Sequence, residues 1–210
     1  MREKLHFKPW IGKNYHLKKK KLMILGESHY DEKEGIEKNP ERPDFTITMV
    51  KEVISNIFVA NTNKNLHLLL TGSQKQEKIE KVYENVVFLE LVQEIMEDKT
   101  DGFQKPTEAQ LLNGWSLCLQ EVRNLKMDNV IVLGTHTFRS LIKQAKTENI
   151  EVLNYIKEPK IGRIIPRTVN INLNGVKVSF YFIKHPGSYF SWRKWRDYLS
   201  SKNKDLLIEV

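Results

Sequence analysis

Cysteine is nearly missing: Cys118 is the one thiol in 210 residues. That excludes a disulfide framework, a four-thiolate zinc site and a cysteine-ligated iron–sulfur cluster. No apolar run approaches the roughly 18 residues of a membrane span. The charged start of the chain is followed by no hydrophobic stretch, so no signal peptide is expected. Internal repeats, low-complexity tracts and linkers are absent too. Acidic residues are in deficit, 26 against 34 Lys and Arg, for a formal net charge of +8 and a pI near 9.4. Such a bias favours anionic partners such as nucleic acid. The expected setting is cytoplasmic, with no membrane association, and a monomer is expected.

What is present reads as one globular domain over residues 1–210, with 1–20 as a basic N-terminal extension ending in Lys18 to Lys21. Hydrophobic residues make up 40% and charged residues 29%, enough for a buried core under a charged surface. Leu22 to Leu25, closed by Gly26, predicts a buried strand. Residues 31–43 read as a loop, and Phe45, Met49, Val50, Val53, Ile54 and Ile57 sit at helical spacing behind Asp44 as N-cap. A second strand is expected within 85–91. Thr107 and Gln110 predict a capping box opening a helix to about Lys126, with Leu111, Leu112, Trp115, Leu119, Val122 and Leu125 as its buried stripe.

Residues 129–133 predict a third strand, followed by a helix capped by Thr135. Val169 to Ile183 reads as a hairpin turning at Asn174 and Gly175, and Trp192 to Leu199 as a short aromatic and basic helix. This alternation predicts an α/β domain: a three-layer α/β/α sandwich with a short, mostly parallel central sheet and a late hairpin.

In such sheets ligands bind at the carboxyl ends of the strands. Three predicted strands end in polar residues: Gly26-Glu27-Ser28-His29-Tyr30, Glu90, and Lys184-His185-Pro186-Gly187-Ser188. Singly, each has a bland reading. His185 suits a hydrogen-bonded loop, Ser28 a turn, Glu90 a salt bridge, and Tyr30 and Phe45 packing.

Together, the early Gly26-Glu27-Ser28-His29-Tyr30 and the late His185-Pro186-Gly187-Ser188 resemble the two signature loops of the uracil-DNA glycosylase superfamily. The branches of that family carry G-Q-D-P-Y, G-E-A-P-G or G-[IM]-N-P-G in the first loop and H-P-S-P in the second. The resemblance spans roughly residues 20 to 200. It implies a uracil-DNA glycosylase-like fold and a hydrolase that cleaves the N-glycosidic bond of a deaminated or damaged base in DNA, with no metal and no cofactor.

By the same resemblance, His185 stabilises the departing base and Ser28 with the Gly26 backbone positions water, the two forming the catalytic pair. Gly26, Glu27, Tyr30, Phe45 and Glu90 bind substrate, Phe45 by stacking on the flipped base and Glu90 by reading its edge. Gly187 and Ser188 fall in the loop that pinches the phosphate backbone of single- or double-stranded DNA, and from their charge beside that loop Lys184, Arg193 and Lys194 are expected to contact the same DNA. Lys184, Arg193, Lys194 and Arg196 are interleaved with Tyr189, Phe190, Trp192 and Trp195, and the alternative for Trp192 and Trp195 is a packed helix face.

The departures are also instructive. Ser28 stands where the uracil-specific branch has an aspartate, and Asp31 and Glu32 are nearby substitutes. Glu90 stands near an asparagine position, and an ionised carboxylate accepts hydrogen bonds but cannot donate them. Two alternatives stay open: a non-catalytic nucleic-acid-binding member of the same fold, and a serine esterase of the SGNH type. The esterase reading lacks the aspartate three residues before its histidine, where Phe182 stands. His29, Asp31 and Glu32 also cluster in sequence, but no metal-ligand motif accompanies them.

Overall fold

Runs of β-branched and long aliphatic residues closed by glycine or a charged residue set the centre of the molecule. The computed structural model describes residues 4–31, 42–57, 60–73, 75–99, 102–187 and 189–208. Strands are β1 (Trp10–Ile11), β2 (Leu22–Gly26), β3 (His29–Asp31), β4 (Val87–Glu90), β5 (Ile95–Lys99), β6 (Gly102–Phe103), β7 (Asn129–Leu133), β8 (Glu151–Lys157), β9 (Arg167–Leu173) and β10 (Val176–Ile183). Helices are α1 (Phe45–Ile54), α2 (Asn61–Thr71), α3 (Gln76–Asn85), α4 (Glu108–Asn124), α5 (Phe138–Thr147) and α6 (Trp192–Lys202).

A seven-stranded sheet has the order β1-β4-β2-β7-β10-β9-β8, and β3, β5 and β6 form a small second sheet. Strands β4, β2, β7 and β10 are mutually parallel, while β1, β9 and β8 join antiparallel. The main sheet is therefore mixed and wider than the short, mostly parallel one expected. Its parallel part is confined to the four central strands, whose carboxyl ends all point the same way.

Side-chain alternation builds two cores, one on each face. Met23, Leu25, Val130, Val132, Phe180 and Phe182 pack with Trp115, Cys118, Leu119 and Val122 of α4 and with Leu141 and Ala145 of α5. Their neighbours Ile24, Ile131, Leu133, Tyr181 and Ile183 pack with Leu66, Leu69 and Leu70 of α2 and with Trp195 and Leu199 of α6. Helices thus cover both faces of the sheet, as expected from the strand–helix alternation.

The capping box at Thr107 and Gln110 is formed, and the hairpin turns at Asn174 (φ 56°) and Gly175 (φ 83°). Three local expectations are corrected. Thr137, not Thr135, occupies the N-cap of α5, because the turn from Gly134 must leave the sheet before the helix starts. Asp44 holds the N-cap position of α1, yet its carboxylate engages Arg42 rather than the helix. The described part of the N-terminal segment is no free extension: Phe7 is fully buried, and Trp10 donates to the Tyr83 carbonyl at 2.7 Å.

Candidate active site

Parallel pairing fixes where the polar strand ends meet. Gly26 sits opposite Glu90 in register, and the pairing continues past the strands through Leu91 N to Gly26 O (3.1 Å) and Val92 N to Glu27 O (2.9 Å). The ends of β7 and β10 are joined by Gly134 N to Ile183 O at 3.0 Å. Glu27, Ser28, Glu90, His136 and His185 are thereby delivered to one end of the sheet.

Glycine at position 26 leaves room for the Glu90 side chain, and its backbone is ordinary strand. A Cβ there would run into both carboxyl oxygens of Glu90, which lies across it. Glu90 is 8% exposed, and its Oε2 is buried without a hydrogen-bond partner. Burial, reinforced by the negative field of Glu27, pushes its pKa up to about 8. At neutral pH Glu90 therefore carries a proton and offers one donor and one acceptor, like an amide. The acceptor-only edge expected from the sequence is corrected by this burial.

Glu27 is the electrostatic hub. Its Oε2 lies 3.2 Å from Nε2 of His136, and this hydrogen bond raises the pKa of His136 against the opposing effects of burial and Lys105. His185 is pulled the other way: crowding by protein lowers its pKa, Glu27 partly restores it, and His136 lowers it again. The Tyr30 hydroxyl is raised by burial, eased by the nearby Ser28 hydroxyl, and raised further by Glu27 and Glu90. One carboxylate thus couples the histidine pair on one side to Tyr30 and Glu90 on the other. Replacing it, as Glu27→Gln, should lower the pKa of both His136 and His185 in an NMR titration of their ring protons. Unchanged titration of both would remove Glu27 from the hub.

Ser28 Oγ is buried and has no hydrogen-bond partner of good geometry. No imidazole reaches it among the described residues, so the serine-esterase alternative lacks its base. Gly187 packs against His185: a Cβ on it would come within 3.2 Å of His185 Nδ1. Asn65 of α2 donates to the carbonyls of Pro186 (2.8 Å) and Gly187 (3.0 Å), clamping the loop that carries His185. Asn65→Ala should cost about 1–2 kcal/mol of local stability and speed amide exchange through 185–187; exchange confined to its wild-type rate would show the clamp to be idle.

The remaining expected site residues separate. Phe45 is 7% exposed and packs edge-on to His29, with ring centroids 4.7 Å apart and Phe7 beyond. Its ring belongs to this packing and offers no open face, so stacking by Phe45 is corrected. His29 is buried and hydrogen-bonds Thr46 Oγ1 at 2.8 Å. Lys184 reaches the Tyr189 carbonyl at 2.7 Å, and Tyr189 itself is 98% exposed. Arg193 lies over the Trp192 ring at 4.4 Å, and Lys194 is exposed. Arg196 is a tether, donating to Leu69 O at 2.9 Å, and Trp195 is core, stacked on Phe190. Ser188, Glu32 and the Asp31 side chain lie outside the described residues.

Among the described residues no group of three or more His, Cys, Asp or Glu could hold a metal ion. No helix among them is long and apolar enough to cross a membrane. Two surface cavities, of about 870 and 380 Å³, lie elsewhere, beside α4 and beside Lys18 to Lys20.

Sequence reasoning missed His136 and Asn65. His136 was findable, since it follows the β7 run at the same sheet end that singled out Glu27, Glu90 and His185. Asn65 had no signal, because its role depends on where α2 lands. No protein-family model matches the chain, and no curated protein sequence matches it.

Proposed function

We propose that this protein is a DNA glycosylase-like hydrolase that removes a deaminated or damaged base, uracil or a relative of it. The observation that carries the reading is the convergence of His185, Glu27, Ser28 and the buried Glu90 at the carboxyl ends of the adjacent parallel strands. Cleaving an N-glycosidic bond builds negative charge on the base and positive charge on the sugar. A neutral imidazole donating a hydrogen bond from His185 meets the first need. The Glu27 carboxylate meets the second, filling the role left by Ser28 in place of an aspartate.

In this scheme the Ser28 hydroxyl orients a water molecule. The water oxygen bonds to C1′, the C1′–N electron pair leaves with the base, and the water proton passes to Glu27. Glu90, bearing one donor and one acceptor, matches the mixed edge of uracil or hypoxanthine. The test is a screen of single- and double-stranded oligonucleotides containing uracil, hypoxanthine or xanthine, read as alkali-labile abasic sites. Abasic product from at least one is expected. Binding with every strand left intact would instead favour a non-catalytic nucleic-acid-binding protein.

A further inference from the structure

The start of α5 breaks a local rule. A helix amino terminus carries positive potential and unpaired N–H groups, and acidic residues or a side-chain cap normally answer them. Here the first turn holds no acidic residue and Thr137 makes no capping hydrogen bond. Arg139, a cation, sits in that turn and is exposed. Thr137 is 2% exposed, yet its Oγ1 has no partner. The turn is nonetheless rigidly held, because Trp115 Nε1 donates to Ser140 Oγ (3.0 Å), which donates to Thr137 O (2.7 Å).

A second cation arrives from a distant strand. Arg167 of β9 lies 5.1 Å from the Phe138 ring centroid, and Arg139 lies 5.7 Å from the same centroid. Tyr155 of β8 stacks on Phe138 at 5.4 Å with planes 3° apart, and Arg167 lies 5.9 Å from the Tyr155 centroid as well. Neither arginine pairs with a carboxylate among the described residues, and Nη1 of Arg167 is buried without a partner. Two guanidinium groups held against the Phe138 ring beside an uncapped helix terminus supply the charge and donors that an oxyanion requires. His136, immediately before Thr137, pairs with Glu27, so this terminus abuts the candidate active site.

We propose that Thr137, Arg139 and Arg167 at the amino terminus of α5 form a phosphodiester-binding subsite for the nucleic-acid strand whose target base occupies the adjacent cluster. The inference rests on the nucleic-acid reading and adds a second anchor beside Arg193 on Trp192. The other basic region is unlike it. Lys18, Lys19, Lys20 and Lys204 line the groove of about 380 Å³, where Asp205 also lies and Lys20 is paired with Asp128 at 3.0 Å. It serves as an internal control for charge.

The experiment is fluorescence anisotropy of a labelled, uracil-containing oligonucleotide against wild type, the Arg139→Gln/Arg167→Gln pair and the Lys19→Gln/Lys204→Gln pair over a range of salt. Each pair removes the same charge. The arginine pair should weaken affinity about fivefold to tenfold at low salt and make the log–log salt slope shallower by about one. The lysine pair should do neither, and Arg139→Lys/Arg167→Lys should keep most of the slope and so exclude misfolding. Equal losses in both glutamine pairs, or no loss in the arginine pair, would overturn the subsite. So would calorimetry showing that inorganic phosphate binds through these arginines while the oligonucleotide slope is unmoved. Excision is scored separately: continued base release with an unchanged slope refutes the subsite alone, and strand binding without base release refutes the glycosylase alone.

Discussion

On the proposed glycosylase reading, His185→Ala should lower single-turnover base excision by about 100- to 1,000-fold, the range typical for removing one preorganised donor to developing negative charge. Oligonucleotide affinity should stay within about threefold, since phosphate contacts dominate binding. The asymmetry follows from what His185 touches. It sits where crowding favours its neutral form and where Asn65 fixes the loop that carries it. A neutral N–H is a weak partner for a ground-state carbonyl and a stronger one once that oxygen becomes anionic, so the loss falls on the chemical step. Gel-resolved abasic product under enzyme excess measures it. An unchanged excision rate would remove His185 from the chemistry.

Glu90→Gln is expected to act on stability with a sign set by burial. Glu90 releases its proton near pH 4.5 when unfolded and near pH 8 when folded. Between those values the folded state holds a proton that the unfolded chain has lost, so stability falls as pH rises through this window. At about 1.4 kcal/mol per pH unit, the wild type should lose roughly 4 kcal/mol by pH 8, and the Glu90→Gln variant nothing from this source. His67 acts in the opposite direction: its pKa, pulled down to about 4 by burial, removes stability as pH falls below 6.5. That contribution is common to both proteins and cancels in the difference. Urea midpoints at pH 5 and pH 8.5 should therefore diverge between wild type and variant, with the variant gaining on the wild type at the higher pH. Parallel pH curves would show Glu90 to be solvated.

Legibility in the sequence followed the strength of local signals. Strands β2 and β7 are buried at every position and read as short apolar runs. The Thr107 capping box and the Asn174–Gly175 turn have side-chain chemistry that specifies geometry locally, and both formed. Strand β8 carried no signal because six of its seven residues are exposed, so its place comes from pairing with β9 rather than from its own pattern. Helix α2 opens with five polar residues and becomes apolar only from Leu66, which hid it although Leu66, Leu69 and Leu70 share a core with α6.

At the candidate site the strand-end rule put Glu27, Ser28, Glu90 and His185 at one end of the sheet. It could not give Glu90 its proton, since that depends on burial over Gly26. Nor could helical spacing show that Phe45 would be enclosed by Phe7 and His29, partners 38 and 16 residues away.

The most direct measurement is mass spectrometry of the products formed from a modified oligonucleotide in water enriched in oxygen-18. A base-excising hydrolase should release one free base per abasic strand, with the heavy oxygen on C1′ of the sugar. Recovery of the strand intact, with its base attached and no label at C1′, would contradict the assignment of chemistry to this cluster.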